Sequence, residues 1–191
     1  MNICIFPGSF NPIHLGHLKM ADFALEKYKF DKIIFIPAHI PPHKNLDKNL
    51  SNHRLNMVRL AVSGNKNYEV SDIEYKSDNK SYSLVTVKKL IDLYKLNAPL
   101  NFIIGTDAFE KIESWYKADE LKKLVRFIVF PRNGQKEKSI YNNLKSKGWD
   151  FEIVDFTPVD ISSTEIREFK NKNLTDKKVE EYIENNGLYQ H

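Results

Sequence analysis

His14 and His17 stand three residues apart in "GSFNPIHLGH", with Gly16 between them, directly after the apolar run Ile3-Cys4-Ile5-Phe6. Residues at that spacing share one face of a helix, and Pro12 suits the entry to one. On this reading both histidines lie on the first helical turn, where unpaired N–H groups and the positive end of the helix dipole make an anion site. Gly8 and Gly16 lack a Cβ, so a bulky ligand can approach the main chain there. Two imidazole donors aimed at one point would add hydrogen bonds to phosphate oxygens. The pair also reads as ordinary surface histidines. A metal site is the weaker alternative, because no third ligand has tetrahedral spacing and Pro41-Pro42 separates His39 from His43.

A second constellation is "ISSTEIR", residues 161 to 167. Ser162 followed three places later by Glu165 is a capping box, which accounts for the motif as a helix start. The same residues suit anion binding: Ser162, Ser163 and Thr164 put hydroxyls beside free N–H groups, and Arg167 one turn on offers a forked guanidinium.

The elements that must position these groups read as alternating strands and helices. Strand-like runs recur at Asn2–Phe6, Lys32–Pro37, Tyr68–Ile73, Leu100–Gly105, Val125–Pro131 and Phe151–Phe156, apolar on both faces as in a covered parallel sheet. Helical spacing appears at Leu18, Ala21, Leu25 and Tyr28; at Leu55, Val58 and Val62; and at Leu84, Val87, Ile91 and Tyr94. Ser163–Lys170 and Asp176–Asn185 add a small helical C-terminal segment. The expected fold is therefore α/β, one Rossmann-like, doubly wound, mainly parallel sheet with helices on both faces, and residues 1–191 read as a single domain. Such sheets bind ligands outside the carboxyl ends of their strands, where the histidine motif falls. The stretch from His39 to Asn52 reads as the longest loop.

Composition narrows the class. Lys plus Arg is 29 against 25 for Asp plus Glu, a net charge of +4 spread along the chain, which speaks against a nucleic-acid binder. The lone Cys4 lies inside an apolar run and reads as core. It cannot form an internal disulfide, which fits a reducing compartment. No export signal is visible and no run approaches ~18 apolar residues, so the expectation is a cytoplasmic protein without membrane attachment. Oligomeric state is open, with a homodimer as the candidate assembly.

Together the two motifs resemble the nucleotidylyltransferase superfamily with its HxGH signature, and in particular the bacterial nicotinate-nucleotide adenylyltransferase family. The signature stands as His14-Leu15-Gly16-His17, and ISSTxIR is complete at Ile161 to Arg167. "PPHK" at 41–44, "HRLNM" at 53–57, "SYS" at 81–83, "IGTD" at 104–107, "SWY" at 114–116, "PR" at 131–132 and "GLY" at 187–189 fall in that family's order, so the resemblance covers essentially the whole chain.

The resemblance implies adenylyl transfer from ATP to nicotinate mononucleotide, giving nicotinate adenine dinucleotide and pyrophosphate, in NAD biosynthesis. It implies catalytic roles for His14, His17 and Arg167. ATP would lie against Gly8, Ser9, Phe10, His14, His17, Gly105, Asp107, Ile161, Ser162, Ser163 and Arg167. The acceptor would meet Lys44, Ser83, Trp115, Tyr116 and Arg132. Magnesium would arrive on the ATP phosphates, with no dedicated metal residues. Asp107 with Glu110 also reads as a helix cap, Trp115 as a packing anchor and Lys44 as a solvated loop lysine. Ser83 stands where the family usually has threonine, Val85 where an aspartate is common, and Ala38 near a frequent asparagine. The nearest rival within the superfamily is pantetheine-phosphate adenylyltransferase, which is usually shorter and lacks the "GTD…SWY…PR" series.

Overall fold

A computed structural model describes residues 1–43, 46–97, 99–132, 138–169 and 173–190. Six strands, β1 (Ile3–Gly8), β2 (Lys32–Pro37), β3 (Tyr68–Val70), β4 (Leu100–Gly105), β5 (Val125–Phe130) and β6 (Phe151–Ile153), form one sheet in the order β3-β2-β1-β4-β5-β6. Every pairing is parallel, with Gly8 opposite Pro37 and Gly105 opposite Phe130 at the carboxyl ends. The helices are α1 (Leu15–Tyr28), α2 (Ser51–Val62), α3 (Ser83–Tyr94), α4 (Thr106–Phe109), α5 (Ala118–Leu121), α6 (Lys138–Ser146), α7 (Ser163–Phe169) and α8 (Lys177–Asn185). Among the described residues no helix is long and apolar enough to cross a membrane.

Strand periodicity divides the buried residues between two faces. Ile3, Ile5, Ile34, Ile36, Phe102, Ile104, Phe127 and Val129 point to one core, with Leu84, Val87 and Leu90 of α3, Phe109 of α4, Leu121 of α5 and Leu144 of α6. Cys4, Phe6, Ile33, Phe35, Ile103, Ile128 and Phe130 point to the other, with Ala21 and Ala24 of α1, Met57 and Val58 of α2, and Val179 of α8. Each fully buried Ile or Phe contributes about 1.5–3 kcal/mol, so both faces must stay covered. Because α1 leaves β1 toward one face and α4 leaves β4 toward the other, a crevice opens beyond the adjacent ends of β1 and β4, the reversal point of the strand order.

The structure corrects several sequence expectations. β3 stops at Val70, because the Tyr75 N–H bonds the Asp72 carbonyl and Ile73–Lys76 turns into a 3-10 helix. β6 stops at Ile153, where the Phe156 N–H turns back onto the Val154 carbonyl. The loop expected over 39–52 is shorter, since Lys48–Leu50 is helical and α2 begins at Ser51. α6 was not anticipated, although Ile140 and Leu144 carry its helical spacing into the core.

Candidate active site

The β1–α1 turn is where sequence reading and structure part most. Pro12 does not open the helix. It lies two residues before the N-cap in a cis Asn11–Pro12 peptide, and α1 begins at Leu15. His14 is the extended N-cap residue, so the two histidines are not both on the first turn. They still meet. The rings stack with centroids 3.7 Å apart at 33°, and the His14 N–H donates to His17 Nδ1 at 3.2 Å. That bond makes Nδ1 the acceptor, so the neutral His17 ring carries its proton on Nε2.

His14 is 3 % exposed and neither of its ring nitrogens has a hydrogen-bond partner. Burial, helped by the nearby Arg132 charge, lowers its pKa from 6.5 to about 4, so the ring is neutral at pH 7. Gly16 is required beside it, because a Cβ there would lie 2.9 Å from His14 Nδ1. Phe10, in the left-handed region at φ 43°, folds its ring beneath Gly8, where a Cβ would lie 2.7 Å from Cζ, and packs edge-on to His17 at 5.1 Å. Phe10 thus supports the turn from below and forms the floor of the cleft beside it.

That cleft, of about 740 Å³, runs along the carboxyl ends of β1, β4 and β5. Gly8, Ser9, Phe10 and His17 line one part; Gly105, Asp107, Ser83, Trp115, Tyr116 and Arg132 line the rest. Ser83 opens α3, presenting the free N–H groups of its first turn. Trp115 packs on Phe102 at 6.2 Å while keeping a surface on the cleft, and Tyr116 stacks on Tyr82 at 4.5 Å. Arg132 pairs with Asp107 at 3.7 Å, and its N–H donates to Thr106 Oγ1 at 3.1 Å. Lys44 lies outside the described residues.

The "ISSTEIR" residues take a different place from the cleft residues. Ile161, Ser162, Ser163 and Arg167 are not among the cleft's lining side chains. Ser162 Oγ caps the Glu165 N–H at 3.1 Å, as the sequence suggested. Ser163 Oγ donates to the Pro12 carbonyl at 2.9 Å, and Arg167 Nη1 donates to the Asn11 carbonyl at 2.6 Å. The motif therefore fixes the histidine turn directly. The chain end reinforces it: Thr175 Oγ1 donates to the Ile13 carbonyl at 2.7 Å and the Tyr189 hydroxyl to Asn11 Oδ1 at 2.7 Å.

Sequence reasoning missed Arg54 and Glu74. Arg54 is wholly buried and donates to the carbonyls of Ser9 and Ala38 at 2.7 and 2.6 Å. Glu74 accepts from Thr86 Oγ1 at 2.7 Å, and burial raises its pKa. The scarcity of arginine in this lysine-rich chain was the available signal for Arg54; for Glu74 there was none.

Imidazole, hydroxyl, guanidinium and N–H donors gathered at the reversal point of a parallel sheet define a Rossmann-like protein that handles phosphorylated ligands. The cytidylyltransferase-like family model matches residues 5–169. A nicotinate-nucleotide adenylyltransferase of Bacillus subtilis is 41 % identical over 194 residues, covering 98 % of each chain. The solved structure of Plasmodium falciparum nicotinic acid mononucleotide adenylyltransferase, complexed with NaAD, shares the fold at a TM-score of 0.80 and 23 % identity, covering 98 % of this chain and 97 % of that one. The chain belongs to the cytidylyltransferase-like family and, within it, to the nicotinate-nucleotide adenylyltransferases.

Proposed function

We propose that the protein transfers the adenylyl group of ATP to nicotinate mononucleotide, releasing nicotinate adenine dinucleotide and pyrophosphate, and that residues 1–191 act as one catalytic domain. The observation that carries this reading is the His17 ring on the wall of the cleft, stacked on the buried His14, with Trp115, Tyr116 and Arg132 lining the same cleft. One end suits a polyphosphate, the other a flat anionic ring.

The acceptor phosphate is already an anion, so a phosphate oxygen attacks the α-phosphorus as the bond to the bridging oxygen of pyrophosphate breaks, with no general base and no covalent enzyme intermediate. Catalysis then rests on positioning and charge stabilisation. His17 donates from Nε2 to the phosphoryl oxygens as charge builds. His14 offers a neutral donor, and a phosphate oxygen satisfies a buried ring that otherwise costs about 1–3 kcal/mol to leave unpaired. Arg167, Ile161, Ser162 and Ser163 border the departing pyrophosphate while holding the turn. Gly8, Ser9 and Phe10 admit the nucleotide, and Gly105 and Asp107 face its ribose. Ser83, at the start of α3, and the main chain at Tyr116 receive the nicotinate carboxylate, Trp115 stacks on the pyridine ring, and Arg132 lies beside the carboxylate.

Among the described residues no group of three or more His, Cys, Asp or Glu is placed to hold a metal ion. The donors present suit anions, so magnesium belongs with the nucleotide as substrate.

The test is pyrophosphate release with magnesium and ATP, run against nicotinate mononucleotide, nicotinamide mononucleotide and phosphopantetheine. Release with the first far above the other two is expected. Comparable rates with the first two would deny the acceptor pocket its choice, and release with phosphopantetheine alone would overturn the acceptor.

A further inference from the structure

The chain after β2 runs between the two halves of the cleft, and Ala38, Pro41 and Pro42 line it. Its position is set at His39. On the carbonyl side, Arg54 Nη2 donates to the His39 oxygen at 3.1 Å while Nη1 of the same guanidinium holds Ser9 of the β1–α1 turn and Ala38. On the amide side, the His39 N–H donates to Ser81 Oγ at 3.1 Å and to the Glu74 carboxylate at 3.3 Å. The Ile40 N–H also reaches Ser81 Oγ, at 3.1 Å. The other Glu74 oxygen holds Thr86 in the first turn of α3. One residue is thus clamped by a cation tied to the nucleotide side and an anion tied to the acceptor side.

We propose that Arg54 and Glu74 are positioning residues which, acting through the His39 backbone, fix the separation of the two substrate subsites and couple them energetically. This rests on the reading that the nucleotide lies at the β1–α1 turn and the acceptor at the start of α3. Neither side chain can move alone: a guanidinium fork with three carbonyls, two of them on neighbouring residues, has one geometry, and a carboxylate shared between an amide and a hydroxyl has one as well. In-line transfer between two phosphates is sensitive to such spacing, since a misplacement of about 1 Å costs on the order of 100-fold in rate.

The diagnostic variants are Glu74→Gln, which keeps shape but removes the negative charge and one of the two acceptor oxygens, and Arg54→Lys, which keeps charge but loses the fork. Coupling predicts crossed effects. Glu74→Gln raises the KM for ATP about fivefold or more, and Arg54→Lys raises that for nicotinate mononucleotide by a similar factor. Hydrogen–deuterium exchange on the unliganded protein supplies a readout that needs no substrate: in Glu74→Gln the amides around Ser9 and Phe10 exchange faster as well as those of His39 and Ile40. Lowered thermal stability with both KM values unchanged, or faster exchange confined to residues 39 and 40, would overturn the proposal. If the wild type turns over a different acceptor, the substrate reading fails separately, and the crossed KM test proceeds with that acceptor.

Discussion

Replacing Gly16 by alanine separates catalysis from stability at the histidine turn. A Cβ at this position lies 2.9 Å from His14 Nδ1 and 3.0 Å from Cε1, where ordinary contact begins at 3.4 Å, so the buried imidazole must yield by about 0.5 Å. Alanine inside a helix gains up to about 1 kcal/mol over glycine, while displacing a packed ring costs about 1–3 kcal/mol. The net loss is small, worth a few degrees in melting temperature at about 2–4 °C per kcal/mol for a chain of this size. Activity has no such offset. His14 stacks on His17 at 3.7 Å, so the displacement passes to the second ring, and a shift of this size predicts a kcat about tenfold to 100-fold lower. Pyrophosphate release at saturating ATP and nicotinate mononucleotide, paired with a thermal melt, measures both. A kcat within about twofold of wild type in a folded Gly16→Ala protein would refute the claim that the position of these rings limits turnover.

His17→Ala should fold normally and lose roughly two or more powers of ten in kcat, the scale of removing one preorganised donor; circular dichroism with single-turnover kinetics checks it. Trp115→Ala should raise the KM for nicotinate mononucleotide several times more than that for ATP, whereas equal increases would mark a purely structural role; steady-state kinetics decides. Stability should depend on pH through His14, whose folded pKa of about 4 lies below its ordinary 6.5. The unfolded chain binds the proton first as pH falls, so this contribution is complete above about pH 6.5 and is lost toward pH 4, by at most about 1.4 kcal/mol per unit. Urea unfolding across that range should show a decline that His14→Asn makes shallower.

The apolar runs determined the architecture unaided, because alternation of side chains along Ile3–Phe6, Ile33–Ile36 and Val125–Phe130 needs two covered faces and leaves a parallel sheet with helices on both. The motif spacing likewise marked His14 and His17 and the Ser162 cap, while the family resemblance marked the residues that gather at the cleft. Boundaries and partners were decided elsewhere. Whether Tyr68 to Ile73 stays extended depends on where the chain turns away from β2 into the Ile73–Lys76 helix, and whether residues 48–52 are loop depends on what α2 packs against. Pro12 carried a helix-entry signal, yet the turn follows the bonds of its carbonyl and Asn11 to Ser163, Arg167 and Tyr189, residues more than 150 positions away. Arg54 and Glu74 show the same limit. A buried arginine and a surface one are written alike, and only three carbonyls from two segments, Ser9 and the Ala38–His39 pair, converging on one guanidinium make it the center of the site's frame. Local pattern dictates which face a residue covers; long-range hydrogen bonds, absent from any short stretch of sequence, dictate where the chemical groups stand.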